Sequence, residues 1–405
     1  MASTSVTYFP VDNGDMTLIA LGRGTKVLID CNIREAANGR ENDVRDVAKD
    51  LRARLNRDCR KRPYVDAFLL SHPDQDHCRG LQKHFYLGLP DEYPDDKMPD
   101  QEKRIIIHEL WSSALVFRRA SKCFVLCEDA NAFSAEARRR VRVNRVKDFR
   151  GVEEGNRILI LGEDEDGKTD DLDPILVKLD QSFSRINWSS NPLFTARLLG
   201  PLELTENEED EVELGKNHSS VILNISLSFD AARSAVGCFL TGGDAEVAIW
   251  ERLWGKYRLN ASALQYHLLQ TPHHCSWHSL SYDSWSELGD EAEVCQDARS
   301  AVSQILPGGK IVASSCPIHD DENDPPCYGA KCEYEEMANT AKGVFYCTGE
   351  YPSAKAVAPL EFVVSAKGGF ELVGAKESLA RSAATAAGLS FPNKPVVPNK
   401  PAGFA

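Results

Sequence analysis

The chain has 405 residues, 47 of them Lys or Arg and 61 Asp or Glu, for a net charge of -14. That balance argues against a protein that coats nucleic acid, which ordinarily carries a positive field, while the length suffices for one large catalytic core with a tail. No basic stretch followed by an apolar one opens the chain and no apolar run approaches the length of a bilayer span, so a cytoplasmic protein without membrane contact is expected.

Taken in chain order, Thr17 to Leu21 and Lys26 to Asp30 read as strands, and Glu41 to Arg57 as a helix. Val65 to Leu70 is a short apolar run between turn-forming residues, a buried strand leading into Ser71-His72-Pro73-Asp74-Gln75-Asp76-His77. A helix, Cys78 to Tyr86, and a strand, Ile105 to His108, follow. Arg138, Arg139, Arg140, Arg142, Arg145 and Lys147 fall on a further helix. A second series has strands at Ile158 to Leu161, Val221 to Leu227, Gly237 to Thr241 and Leu264 to Thr271, with helices Asp244 to Leu253 and Leu288 to Gln304. Lys310 to Ser314, Gly343 to Cys347 and Leu360 to Val364 complete the strands. Interleaved strands and helices predict an α/β layered fold. One unit is expected over residues 1–375, with insertions around 91–155 and 163–213. Residues 376–405 contain PNKPVVPNKPAGFA and read as a flexible tail, a candidate contact for a protein partner.

Two imidazoles and two carboxylates within six residues point to a metal site. Alternate residues on an extended turn face the same way, so His72 and Asp74 can share one ion while Asp76 and His77 serve a second. A helix cap would account for one of these carboxylates but not for both beside two histidines. The twelve cysteines are scattered without zinc-ribbon spacing, as reduced thiols would be.

His-x-Asp-x-Asp-His resembles the His-x-His-x-Asp-His signature of the metallo-β-lactamase superfamily, with Asp74 in place of its second histidine. The match is similar to the soluble metallo-β-lactamase domain of ComEC-type competence proteins, the DNA-uptake channels. Val11-Asp12-Asn13-Gly14-Asp15, Leu198-Leu199-Gly200-Pro201, Asn217-His218-Ser219-Ser220-Val221, Phe239 to Glu246 and Thr271 to Ser276 resemble further elements of that family in the same order. Cys78, Arg79 and Cys275 depart from it. The resemblance implies an αββα sandwich and a binuclear site. His72 and Asp74 would bind the first ion, Asp76, His77 and His273 the second, and Asp244 would bridge them. Asn217 or His218 would stand in for the superfamily's remaining histidine, with His218 as ligand or proton donor. Asp30 would orient a ligand histidine from behind, and His274 would do likewise or act as general acid. Ser276, Ser279 and His278 would hold a phosphate oxygen.

Three carboxylates among these ligands make manganese or magnesium suitable beside zinc. Two divalent ions would activate a shared water for hydrolysis, with Asp76, His218 and His274 at the reacting centre. The resemblance tilts the substrate toward DNA. A small phosphodiester or cyclic nucleotide is the alternative, and a non-catalytic metal-binding module is a third reading. The basic residues at 138–147, and Arg52, Arg54, Arg57, Arg60, Lys61 and Arg62, would either track phosphates or form ion-paired helix faces.

Overall fold

A computed structural model describes residues 3–35, 44–378 and 380. The larger sheet has eleven strands. Its main path runs Phe370–Val373, Leu360–Val364, Ser5–Tyr8, Thr17–Ala20, Lys26–Ile29, Pro63–Leu69, Ile105–Ser112, Arg157–Leu161 and Leu176–Val177. The second sheet has seven, in the order Ser182–Phe183, Phe194–Gly200, Ile222–Ser228, Val236–Leu240, Tyr266–Gln270, Ile305–Ala313 and Val344–Cys347.

The strands are apolar nearly throughout because both faces are covered. In Lys26–Ile29, Val27 and Ile29 enter the core between the sheets, whereas Leu28 joins the core beneath the helices. Across the inner layer these residues share one core with Leu198, Leu223, Ile225 and Phe239 of the second sheet. Outside the first sheet, Leu51, Leu81 and Phe133 bring in the helices Val47–Arg52, Leu81–His84 and Glu128–Val146. Outside the second, Trp250, Ala301 and Tyr334 do the same for Val247–Tyr257, Gln296–Val302 and Tyr328–Thr340. The layers are therefore helix, sheet, sheet, helix, the αββα order expected.

Each sheet is antiparallel on one side and parallel on the other. Lys26–Ile29, Pro63–Leu69 and Ile105–Ser112 run in parallel, as do Val236–Leu240, Tyr266–Gln270, Ile305–Ala313 and Val344–Cys347. Loops beyond the carboxyl ends of parallel strands are where open α/β sheets present ligand-binding groups, and here they carry residues 30, 71–77, 244 and 273–274.

Several expectations need correction. Residues 91–155 and 163–213 are not insertions throughout, because Ile105–Ser112 and Phe194–Gly200 are interior strands of the two sheets. The helix expected from Asp244 begins at Val247, leaving Asp244 in a turn. The one expected over 288–304 is two pieces, Trp285–Leu288 and Gln296–Val302. Strand Ser5–Tyr8, unanticipated, pairs with both Thr17–Ala20 and Leu360–Val364. Residues 376–378 begin no loose tail: Ser378 is buried, donates to Glu361 Oε2 at 2.5 Å and accepts from Arg54 Nη2 at 3.0 Å. Apart from residue 380, the rest of the expected tail lies outside the described residues, as do residues 41–43 of the expected helix. Among the described residues no helix is long and apolar enough to cross a membrane.

Candidate metal centre

Asp76, His77, Asp244 and His274 each bring a ligand atom within 4.8 Å of the others. His77 Nε2 lies 2.8 Å from Asp244 Oδ1, and His274 Nε2 lies 2.9 Å from Asp76 Oδ2 and 3.5 Å from Asp244 Oδ1. His72, His218 and Asp244 form a second group. There His218 Nδ1 is 3.2 Å from His72 Nε2, and Asp74 Oδ2 is 3.3 Å from His72 Nε2 and 3.8 Å from His218 Nδ1. Asp244 belongs to both groups and stands between them.

Local folding holds these groups in place. Asp30 accepts the N–H and hydroxyl of Ser71 at 2.7 and 2.5 Å, and its Oδ2 is 3.0 Å from His77 Nδ1. That contact fixes the ring so that Nε2 faces Asp244. His72 Nδ1 lies 3.2 Å from the Ser219 carbonyl, which turns its Nε2 toward His218. The Asp244 amide donates to Ser220 Oγ at 3.0 Å. Gly243 before it has φ +50°, and a Cβ there would fall 2.7 Å from Ser220 Cβ, so a glycine at this position permits the close approach that anchors Asp244.

Asp15, from the turn before Thr17–Ala20, lies behind the inner group. Its amide donates to the Asp76 carbonyl at 3.2 Å, and its carboxylate is 3.5 Å from His274 Nδ1 and 3.8 Å from His77 Nδ1. Neither of its buried oxygens has a hydrogen-bond partner, nor does His274 Nδ1. The charge of Asp15 is answered by these two imidazoles at ion-pair distance.

The titration of the group reflects this surplus of negative charge. Burial opposes protonation of His274, yet Asp244, Asp15 and Asp76 overcome it and hold its pKa at about 10. His77 is likewise raised against burial, by Asp244 and Asp30. Burial opposes ionisation of Asp76, but the hydrogen bond from His274 and the charge of His77 bring it down to about 2. Asp244 is held well below the usual carboxylate range despite burial, chiefly by His77 and His274. Protons here occupy positions that cations can take, and imidazoles mixed with carboxylates suit zinc, manganese and magnesium. The residues present therefore fit divalent metal.

The placement of the adjacent histidines differs from expectation. His274, not His273, faces Asp76 and His77; His273 Nδ1 lies 3.4 Å from Glu246 Oε1, in a third group with His218. The cause is backbone geometry. His273, His274 and Cys275 have φ of 48°, 54° and 71°, three successive left-handed residues at about 1–2 kcal/mol each, so strand alternation does not apply.

Other expectations also change. Asn217 faces away, its amide donating to the Glu213 carbonyl, while its own carbonyl accepts the Glu246 N–H. Ser276 and Ser279 are fully buried: one accepts the His278 N–H and the other donates to the Pro272 carbonyl, so neither is displayed to a phosphate. His278 stays open to solvent, 3.9 Å from Asp324. Cys275 is a buried core residue. The basic clusters are largely spent on acids: Arg62 on Asp58, Arg60 on Asp96, Arg139 and Arg140 on Glu136, Arg145 on Asp171 and Lys147 on Glu153. Asp15, beside His274, and Glu246, beside His218 and His273, are further functional candidates, each within a motif where sequence alone assigns it no role.

No family model matches the chain, and no curated protein matches it. Among solved structures it is similar to unliganded yeast PDE1, at 10% identity over 86% of this chain and 98% of that one, with a TM-score of 0.38. That likeness is too distant to assign fold or activity.

Proposed function

We propose that this chain is a metal-dependent phosphodiester hydrolase acting on a small substrate such as a cyclic nucleotide. The observation that carries the reading is Asp244, shared by two groups of buried and partly buried ligand residues. Asp76, His77 and His274 would hold one ion, and His72 and His218, with Asp74 beside them, the other. Two divalent ions so held lower the pKa of bound water and offset negative charge gathering on a phosphoryl group.

The chain's own residues orient and complete the site. Asp30 and Asp15 brace His77 and His274 from behind, which keeps their Nε2 atoms directed inward. His273, partly open at the mouth and paired through Nδ1 with Glu246, is the group that would protonate a departing oxygen, taking over the acid role expected of His274. Phe124 is half-exposed and stacks on His218 at 5.6 Å and 18°, an apolar wall against which a base or aryl group can rest.

A small substrate is favoured over DNA because the arginine clusters are ion-paired and the net charge is negative. DNA, which the ComEC-type resemblance implies, is the second reading, favoured by exposed Arg138 and Arg142 one turn apart on Glu128–Val146. To test both, the purified chain is supplied with manganese, zinc or magnesium and assayed on bis(p-nitrophenyl) phosphate, cyclic nucleotides and DNA. Hydrolysis of the small diesters with little salt dependence supports the proposal. Cleavage confined to DNA, with affinity falling steeply between about 50 and about 200 mM salt, supports the second reading. No hydrolysis of any phosphodiester with any ion overturns both.

A further inference from the structure

Beside the metal loop lies a pair of thiols that the proposed chemistry does not use. Cys78 ends the short helix Gln75–Cys78, directly after His77, and its Sγ is 3.5 Å from Sγ of Cys127. Cys78 is fully buried, whereas Cys127 is partly exposed. Cys127 caps the long helix Glu128–Val146, and its sulfur accepts the Ala130 N–H at 3.5 Å. A solvent-reachable sulfur at a helix N-terminus is in the setting that favours thiolate.

The two segments are already docked on one another. Asp129 accepts the N–H groups of Gly80 at 2.8 Å and Gln82 at 3.0 Å, tying the start of the long helix to the end of the metal loop. The docked segments leave the sulfurs at 3.5 Å, about 1.5 Å beyond the roughly 2.05 Å of a disulfide. Closing that gap has a cost for the metal loop, because Cys78 Sγ donates to the Asp74 carbonyl at 3.1 Å and a disulfide has no proton to give.

We infer that Cys78 and Cys127 form a reversible disulfide site, oxidised by a low-molecular-weight disulfide such as oxidised glutathione, and that its closure loosens the metal loop. The Cys127 thiolate attacks one sulfur of oxidised glutathione, forming a mixed disulfide and releasing one glutathione thiolate. Cys78 then gives up its proton and attacks the Cys127 sulfur, which releases the second glutathione. Two protein thiols are oxidised and one glutathione disulfide is reduced. The inference does not depend on the substrate proposed above, since its readouts are covalent structure and metal content.

The test uses the full chain with the metal it retains through purification. It is incubated with oxidised glutathione, alkylated, digested and mapped by mass spectrometry, while bound metal is measured in the same samples. The expected result is a linked Cys78–Cys127 peptide, at least a twofold fall in bound metal, and recovery of both on reduction with dithiothreitol. In Cys127→Ser, Cys78 should stay unmodified; if that variant misfolds by circular dichroism, alkylating the accessible thiols of the native chain, Cys127 among them, with iodoacetamide before oxidised glutathione is added is the equivalent control, because a thioether cannot be displaced by Cys78. A Cys127–glutathione adduct that persists without linkage, or linkage only in urea, overturns the site. Full metal retention in the linked protein overturns its effect on the loop.

Discussion

The two halves of the metal centre are held differently. In the inner half the His77 and His274 side chains are 0% and 1% exposed, and each has a carboxylate behind it, Asp30 or Asp15. In the outer half His72 is also buried, but the side chains of His218 and Asp74 are 18% and 31% exposed, and His218 stacks on half-exposed Phe124 with Glu246 3.5 Å from its Nε2. The inner histidines are thus fixed before any ion arrives, with Asp76 beside them 29% exposed, while His218 and Asp74 have room to adjust to an ion and a substrate together. Rigid support on one side and access on the other is the division of labour that a hydrolytic centre needs.

The sharpest way to break this comparison is to remove what the halves share. Asp244→Asn should strip both ions and lower turnover about a thousandfold or more, which metal analysis and a phosphodiester assay will show. Next in size, the adjacent histidines should part company. His274→Ala should lose the inner ion, whereas His273→Ala should keep both ions yet lose about 10²–10⁴ in turnover, the contribution of a proton donor. Equal metal loss in the two variants would erase the distinction drawn between them.

Smaller effects test the bracing. Asp15→Asn should weaken metal affinity about 10–100-fold at the inner position and leave the outer one unchanged; titration calorimetry resolves the two if they differ. The smallest expected effect is on stability without metal. Burial disfavours protonated His274, but Asp244, Asp15 and Asp76 raise its pKa from 6.5 to about 10. A raised folded-state pKa gives stability that is fully present below the unfolded value and is lost as pH climbs through the folded one. The metal-free chain should therefore show a falling Tm from about pH 6.5 to about pH 10. Metal uptake in the same window should release protons. A Tm that rises with pH there, with no proton release, would contradict the charge balance described.

Part of this was legible in the sequence. The His72–His77 cluster stands out because its side chains are local to one loop, and Asp244 because an apolar strand delivers it. The layered order follows from strand and helix runs together with the family resemblance. The pairing of His274 with Asp76 is not readable, since it depends on three left-handed residues in a row where strand geometry was the natural assumption. Asp15 and Glu246 are single acids in turns whose partners come from distant parts of the chain, so only the folded molecule gives them roles. Arg140 reads as a basic surface residue but is fully buried, holding Glu136 and the carbonyls of Ile107, His108 and Arg157. Charge runs carry no record of which acids will face them.

Anomalous diffraction from crystals soaked in manganese tests the central claim most directly. Two peaks are predicted, one among Asp76, His77, His274 and Asp244, the other among His72, His218 and Asp244. A single peak, or peaks that leave Asp244 uncoordinated, would contradict the account.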